Sequence, residues 1–240
     1  MPRQDGRAPD ELRPVKITRG FTQATPGSVL YESGRTKVLV TASVEDRVPP
    51  WMQGRGQGWL TAEYSMLPGS TPDRKARSGS TNRVDGRTHE IQRLVGRSLR
   101  SVLDTQALGE RTIWIDCDVL EADAGTRTAS INGAYIAVVD ALKKHKFHKP
   151  LTRWPLKEPV GAVSVGIIGA TAVLDPDYSE DHQAAVDMNV VMTASGKFIE
   201  VQGTGEGRPF DGDELAALLS LAQRGIDRIL ARAKETLATP

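Results

Sequence analysis

The sequence predicts an α+β fold of mostly antiparallel sheets packed against helices. Three strand–turn–strand units carry short glycine-containing turns between β-branched runs, and three longer stretches repeat apolar residues at helical spacing. The hairpins precede helices in two successive halves of the 240 residues. One domain over residues 1–240 is expected, and the two halves share an order of elements without a residue-level repeat.

The first hairpin runs from Ser28 to Glu32, turns at Ser33-Gly34 and returns from Thr36 to Val44. Residues 68–86 form a long polar loop rich in Pro, Gly and Ser, and loops of that length are usually functional or disordered. A helix follows over 88–104, with Ile91, Leu94, Val95, Leu99, Val102 and Leu103 on its core face. Thr112 to Leu120 is a strand that turns Ile113, Ile115, Cys117 and Val119 inward. The second helix, 127–146, buries Ile131, Ala134, Tyr135, Val138, Val139 and Leu142. Two more hairpins pair Val160–Ile168 with Thr171–Leu174, and Ala185–Thr193 with Lys197–Gln202. The last helix, 212–235, opens on Asp211 and Glu214 at capping-box spacing.

Composition narrows the function. Hydrophobic content of 39%, charged content of 25% and a net charge of +1 describe an ordinary globular chain and argue against a wholly basic nucleic-acid binder. The single cysteine, Cys117, excludes an intrachain disulfide or a thiolate zinc cluster and reads as a small buried hydrophobe. The first twenty residues are charged throughout, and the uncharged run from Val160 to Leu174 is too short to span a bilayer, so a cytoplasmic setting without membrane contact is expected.

The charges are unevenly spread. Residues 74–100 hold eight Lys or Arg against two acids, whereas 175–187 hold five acids and no Lys or Arg. That separation suits a polyanion and a divalent cation, and equally two unrelated patches. Arg93, Arg97 and Arg100 share one helix face and Arg87 stands at the helix start beside Gly86. Arginine suits two-pronged recognition of phosphate, while local ion pairs with Glu90 and Asp104 are the competing account. Gly125-Thr126-Arg127 repeats the Gly-Arg element at the second helix start, with Thr126 expected as the N-cap. Two such elements could pinch one phosphate. In the acidic segment Asp187 and Asn189 face away from Val186, Met188, Val190 and Met192, and Asp181 lies in the preceding turn. Two carboxylates so placed can share Mg²⁺, and a solvated acidic turn is the alternative.

Other segments carry less. The glycines of 203–207 lack dinucleotide-binding spacing and read as a link to the last helix; Gly54 to Gly58 lacks the ending of a phosphate loop. Lys143, Lys144, Lys146 and Lys149 suit a helix C-terminus, His145 and His148 complete no metal set, and Trp59 and Tyr64 could stack bases, although aromatics in a strand are more often core.

Taken together these segments resemble the ribonuclease PH family of bacterial phosphorolytic exoribonucleases. The resemblance covers nearly the whole chain, from Asp5-Gly6-Arg7 and residues 11–15 through 36–44, 85–87, 90–94 and 125–130 to Asp187–Thr193 and Glu200–Thr204. One departure is Ala124, where the family often has a second glycine. The resemblance implies a ribosomal-protein-S5-domain-2-like fold, a homohexamer built as a trimer of dimers, and 3′-end trimming of tRNA precursors with inorganic phosphate as co-substrate. It implies that Arg87, Gly125, Thr126 and Arg127 hold phosphate, and that Asp181 and Asp187 are catalytic and bind Mg²⁺ or Mn²⁺. Arg74, Arg77 and Arg83, with Arg93 and Arg97, would contact RNA. A non-catalytic RNA-binding ring subunit of the same fold and a hydrolytic metal nuclease are the alternatives.

Overall fold

The computed structural model describes residues 3–77 and 86–239. Two sheets flank one central helix. The first has the order β1-β2-β3-β5-β4, from β1 (Val15–Arg19), β2 (Gly27–Ser33), β3 (Thr36–Glu45), β4 (Trp59–Met66) and β5 (Thr112–Glu121). The second has the order β7-β6-β8-β9, from β6 (Val160–Ile168), β7 (Thr171–Leu174), β8 (Val186–Thr193) and β9 (Phe198–Gly205). The expected α+β class holds, with the predicted hairpins β2–β3, β6–β7 and β8–β9 all paired antiparallel; among the described residues the one parallel pair is β4 with β5. That pair is possible because α1 (Gly86–Ser101) and the short α2 (Thr105–Leu108) form the crossover between them.

The central element is α3 (Thr126–Lys144). A one-sided apolar stripe is what its sequence suggests, yet sixteen of its residues are buried, because the first sheet covers one side and β6 the other. Its small and β-branched residues allow that close approach: a Cβ at Gly133 would stand 2.9 Å from Val40 Cγ2. Asn132 is one of its buried polar residues. Its amide donates to Ala162 O at 2.9 Å and accepts from Ala162 N at 2.8 Å, completing the edge of β6 where β7 does not reach. The final helix, α5 (Gly212–Ala238), covers the opposite face of the second sheet and starts with the expected Asp211–Glu214 capping box.

This layering aims the side chains of β8. Val186, Met188, Val190 and Met192 pack with α5, while Val191 joins the core around α3. Asp187, of the same parity as Val191, therefore faces the α3 side.

The segment before α3 is clamped by a buried ion pair. Arg13 donates to Asp175 through Nη2 at 2.6 Å and Nε at 3.1 Å, its own N–H adds a bond at 2.9 Å, and Nη1 donates to Asp123 O. Burial pushes the Asp175 carboxyl up, but the Arg13 charge and hydrogen bonds outweigh it and hold the pKa below the ordinary value. Arg13→Ala would leave that carboxylate buried and unpaired, and is expected to lower unfolding free energy by about 3–5 kcal/mol in denaturant titration. The Asp175 contribution is present above the ordinary carboxylate pKa and is lost as pH falls through its depressed folded value.

Candidate active site at the start of the central helix

Ala124 and Gly125 carry the chain into α3 in the left-handed region, at φ +59° and +67°. Gly125, not Thr126, is the N-cap, and it has no side chain to close the helix. Threonine disfavours that conformation, so the expected Thr126 cap gives way to Thr126 as the first helical residue. The first helical bond runs from Ala129 N to Gly125 O at 3.0 Å. Among the described residues the N–H groups of Thr126, Arg127 and Thr128 have no partner, so three donors stand open at the positive end of a nineteen-residue helix. The Thr126 hydroxyl is buried and accepts from Tyr64 Oη at 2.9 Å, which ties the turn to β4. A Cβ on Gly125 would lie 2.9 Å from Arg13 Nη2, so the clamp beneath the turn also demands glycine.

Ala124 costs the turn strain that a glycine would not. Relief of about 1–2 kcal/mol is partly offset by glycine's freedom in the unfolded chain. Ala124→Gly is therefore expected to raise stability by about 0.5–1 kcal/mol, read as a small rise in Tm.

Arg127, the second residue of α3, reaches α1. Its Nη2 and Nε meet the two Glu90 oxygens at 2.7 and 3.3 Å. Gln202 on β9 lies close to Glu90. Burial raises the Glu90 pKa, but the Arg127 bonds and charge, the nearby Gln202 and the Arg87 charge bring it below the ordinary carboxylate value. Arg87, in the first turn of α1, is exposed and in no ion pair among the described residues.

The acidic half comes from the second sheet. Asp181 ends the short α4 (Tyr178–Asp181), which a capping box from Asp177 starts and which a two-pronged Arg3–Glu180 pair, at 2.8 and 2.7 Å, holds to the N-terminal segment. Asp187 lies one residue inside β8, opposite Gly166 and Thr204. Neither aspartate has an ion-pair partner among the described residues. Both are mostly buried, and burial raises both pKa values; Asp187 is pushed up to about 6, with the Asp181 charge as the next cause. Arg87 and Arg127 pull both pKa values down and exposed Glu206 pushes both up, so all these charges share one neighbourhood.

The structure thus brings together Arg87, Gly125, Thr126, Arg127, Asp181 and Asp187 from two helix starts, a short helix end and a strand. Two adjacent carboxylates without cationic partners form an all-oxygen donor set that fits a hard divalent cation. Among the described residues no set of three or more His, Cys, Asp or Glu is arranged to enclose a metal, so only part of a coordination shell would come from the protein.

The remaining expected residues are more dispersed. Arg97 pairs with Glu200 on β9 at 2.8 Å. Arg93 is exposed and without a charged partner among the described residues. Arg100 leaves the expected guanidinium face: it donates to Leu60 O at 2.9 Å and stacks over Trp59, with Cζ 4.8 Å from the ring centre. Arg74 and Arg77 are exposed, and Arg83 lies outside the described residues. The two local ion-pair partners expected for the α1 arginines work elsewhere, since Glu90 holds Arg127 and Asp104 caps α2 while pairing with Arg153. The glycines at 203 and 205 are strand residues of β9 rather than a link to α5; a Cβ at Gly203 would meet Met188 Cε at 2.7 Å. The site residues that stand outside the predicted set are Glu90 in its bridging role, Gln202, Tyr64, Arg13 and Glu206. Only their spatial neighbours give them away, because each is separated in sequence from the residue it serves.

Comparisons with known proteins agree with this architecture. Models of the 3′ exoribonuclease family match residues 11–144 as domain 1 and residues 158–225 as domain 2. Among solved structures, rice (Oryza sativa) Rrp46 superposes with a TM-score of 0.80 at 19% identity, covering 98% of this chain and 100% of that one. An Archaeoglobus fulgidus exosome with RNA bound to the active site gives a TM-score of 0.79 at 20% identity, covering 96% and 92%. An archaeal exosome core gives 0.75 at 21% identity, covering 97% and 91%. At these identities the likeness establishes the fold, and the two matched models establish the lineage. The chain belongs to the ribonuclease PH family of 3′ exoribonucleases.

Proposed function

We propose that this protein is a phosphorolytic 3′-to-5′ exoribonuclease that trims tRNA precursors and releases nucleoside diphosphates. The observation that carries the reading is the shared neighbourhood of Arg87 and Arg127 with Asp181 and Asp187. A hydrolytic nuclease has no use for a second anion site next to its carboxylates.

In this reading inorganic phosphate rests on the open N–H groups at the start of α3, between the Arg87 and Arg127 guanidinium groups. Their charge lets one anion approach another, and the fixed donors aim its oxygen at the scissile phosphorus. The P–O bond to the departing 3′ oxygen breaks as the bond to the incoming phosphate oxygen forms. Asp181 and Asp187 would hold Mg²⁺ or Mn²⁺, which supplies charge stabilisation at the phosphoryl oxygens or the leaving oxygen. Arg74, Arg77, Arg93 and Arg97 extend positive charge away from the site along the path of the RNA. The homohexamer expected of the family would align these sites in a ring.

The test is the identity of the product with and without phosphate. Nucleoside diphosphates that appear only when phosphate is present support the reading. Nucleoside monophosphates formed without phosphate would establish hydrolysis instead. RNA bound with no product of either kind would establish a non-catalytic ring subunit.

A further inference from the structure

The site contains a charge arrangement that calls for separation. Arg127 is close enough to Asp181 and Asp187 to lower both pKa values, yet it pairs with neither; its Nε and Nη2 are both engaged by Glu90. Without Glu90, this guanidinium is left beside two aspartates that are mostly buried and in no ion pair among the described residues, and whose pKa values burial raises. An arginine fork closing on them would consume the donor set for a cation and turn away from an anion. Glu90 also lies beside Gln202 of β9, a neighbour that favours its ionised form.

We infer that Glu90 is a positioning residue that tethers Arg127 away from the Asp181–Asp187 pair and so keeps the anion and cation halves of the site apart. The inference rests on the proposed reading of those halves, but the tether is visible without any ligand.

Crystal structures of Glu90→Ala and Glu90→Gln provide the ligand-independent test. In Glu90→Ala, Arg127 should swing to within ion-pair distance of Asp181 or Asp187; in Glu90→Gln, which retains an acceptor, it should stay. Titration of the full chain with Mn²⁺, followed by electron paramagnetic resonance, provides the second. Glu90→Ala should weaken Mn²⁺ binding about tenfold or more, the amount of one charge-assisted contact. Glu90→Gln should stay within about threefold of the parent, as expected when only a nearby screened charge is lost. The double variant Glu90→Ala/Arg127→Ala should recover Mn²⁺ affinity, because the intruding guanidinium is gone. An Arg127 that keeps its place in Glu90→Ala would overturn the tether. So would equal losses of Mn²⁺ binding in the Ala and Gln variants, which would reduce Glu90 to a nearby charge. A parent protein that binds neither Mn²⁺ nor inorganic phosphate would defeat the proposed function, whatever the crystal structures show of Arg127.

Discussion

Arg87→Ala and Arg127→Ala are each expected to cut kcat/KM for inorganic phosphate by about 10²–10³-fold, the scale of losing one preorganised donor to a transition-state anion. The fold should survive both changes. Arg87 is exposed and in no ion pair among the described residues, and Arg127 is a partly exposed residue whose one ion pair is to Glu90. Lysine should not restore either variant, because an ammonium cannot offer the paired N–H groups of a guanidinium. The two losses should also fail to multiply when combined, since both groups act on the same oxyanion. Phosphate kinetics, circular dichroism and particle size, measured on the three variants, separate a lost cradle from a lost fold. Unchanged phosphate kinetics in both single variants would remove the anion site from the account.

Asp187→Asn is expected to abolish turnover and at the same time to stabilise the metal-free protein. The two effects have one cause. Folding places the Asp187 carboxyl where burial and the Asp181 charge favour its protonated form, raising its pKa from 3.8 to about 6. The folded chain therefore binds more protons than the unfolded chain between those values. Stability falls as pH rises through that window and is level above it. At pH 7 the amide avoids this cost, which corresponds to roughly 1–3 kcal/mol. A bound divalent cation reverses the balance by stabilising the ionised form, so the parent protein should gain Tm with Mn²⁺ and Asp187→Asn should not. The gain should fade below about pH 6, as the carboxyl takes up its proton. A variant with full activity, or one destabilised at pH 7 without metal, would contradict the role assigned to Asp187.

Much of this architecture is legible in the residues themselves. The hairpins over 28–44, 160–174 and 185–202 announce themselves through β-branched runs and tight glycine turns, and the capping box at Asp211 marks the start of α5. Elements whose signal is weak are harder to read. β1 is short, half-exposed and recognisable mainly by its pairing with β2. α3 looks like an amphipathic surface helix, because its pattern records the larger residues, while its alanines and glycine pack just as deeply between two sheets. Thr126 resembles a cap by residue type, but cap geometry depends on backbone angle, and the left-handed turn assigns that position to Gly125. The encounter of α1, α3, α4 and β8 is not written in any spacing. It depends on how the two sheets close around the central helix, and the sequence points to it only through likeness to a family. Glu90 shows the limit most clearly. Its local neighbours suggest a helix-surface ion pair, and the fold gives it a partner thirty-seven positions away.

The most direct measurement is a crystal structure of the protein soaked with inorganic phosphate and Mn²⁺, with the metal located by its anomalous scattering. Phosphate seated between Arg87, Arg127 and the backbone of Thr126, with the anomalous peak on Asp181 and Asp187, is the predicted result. Phosphate bound elsewhere, or a metal that avoids both aspartates, would contradict it.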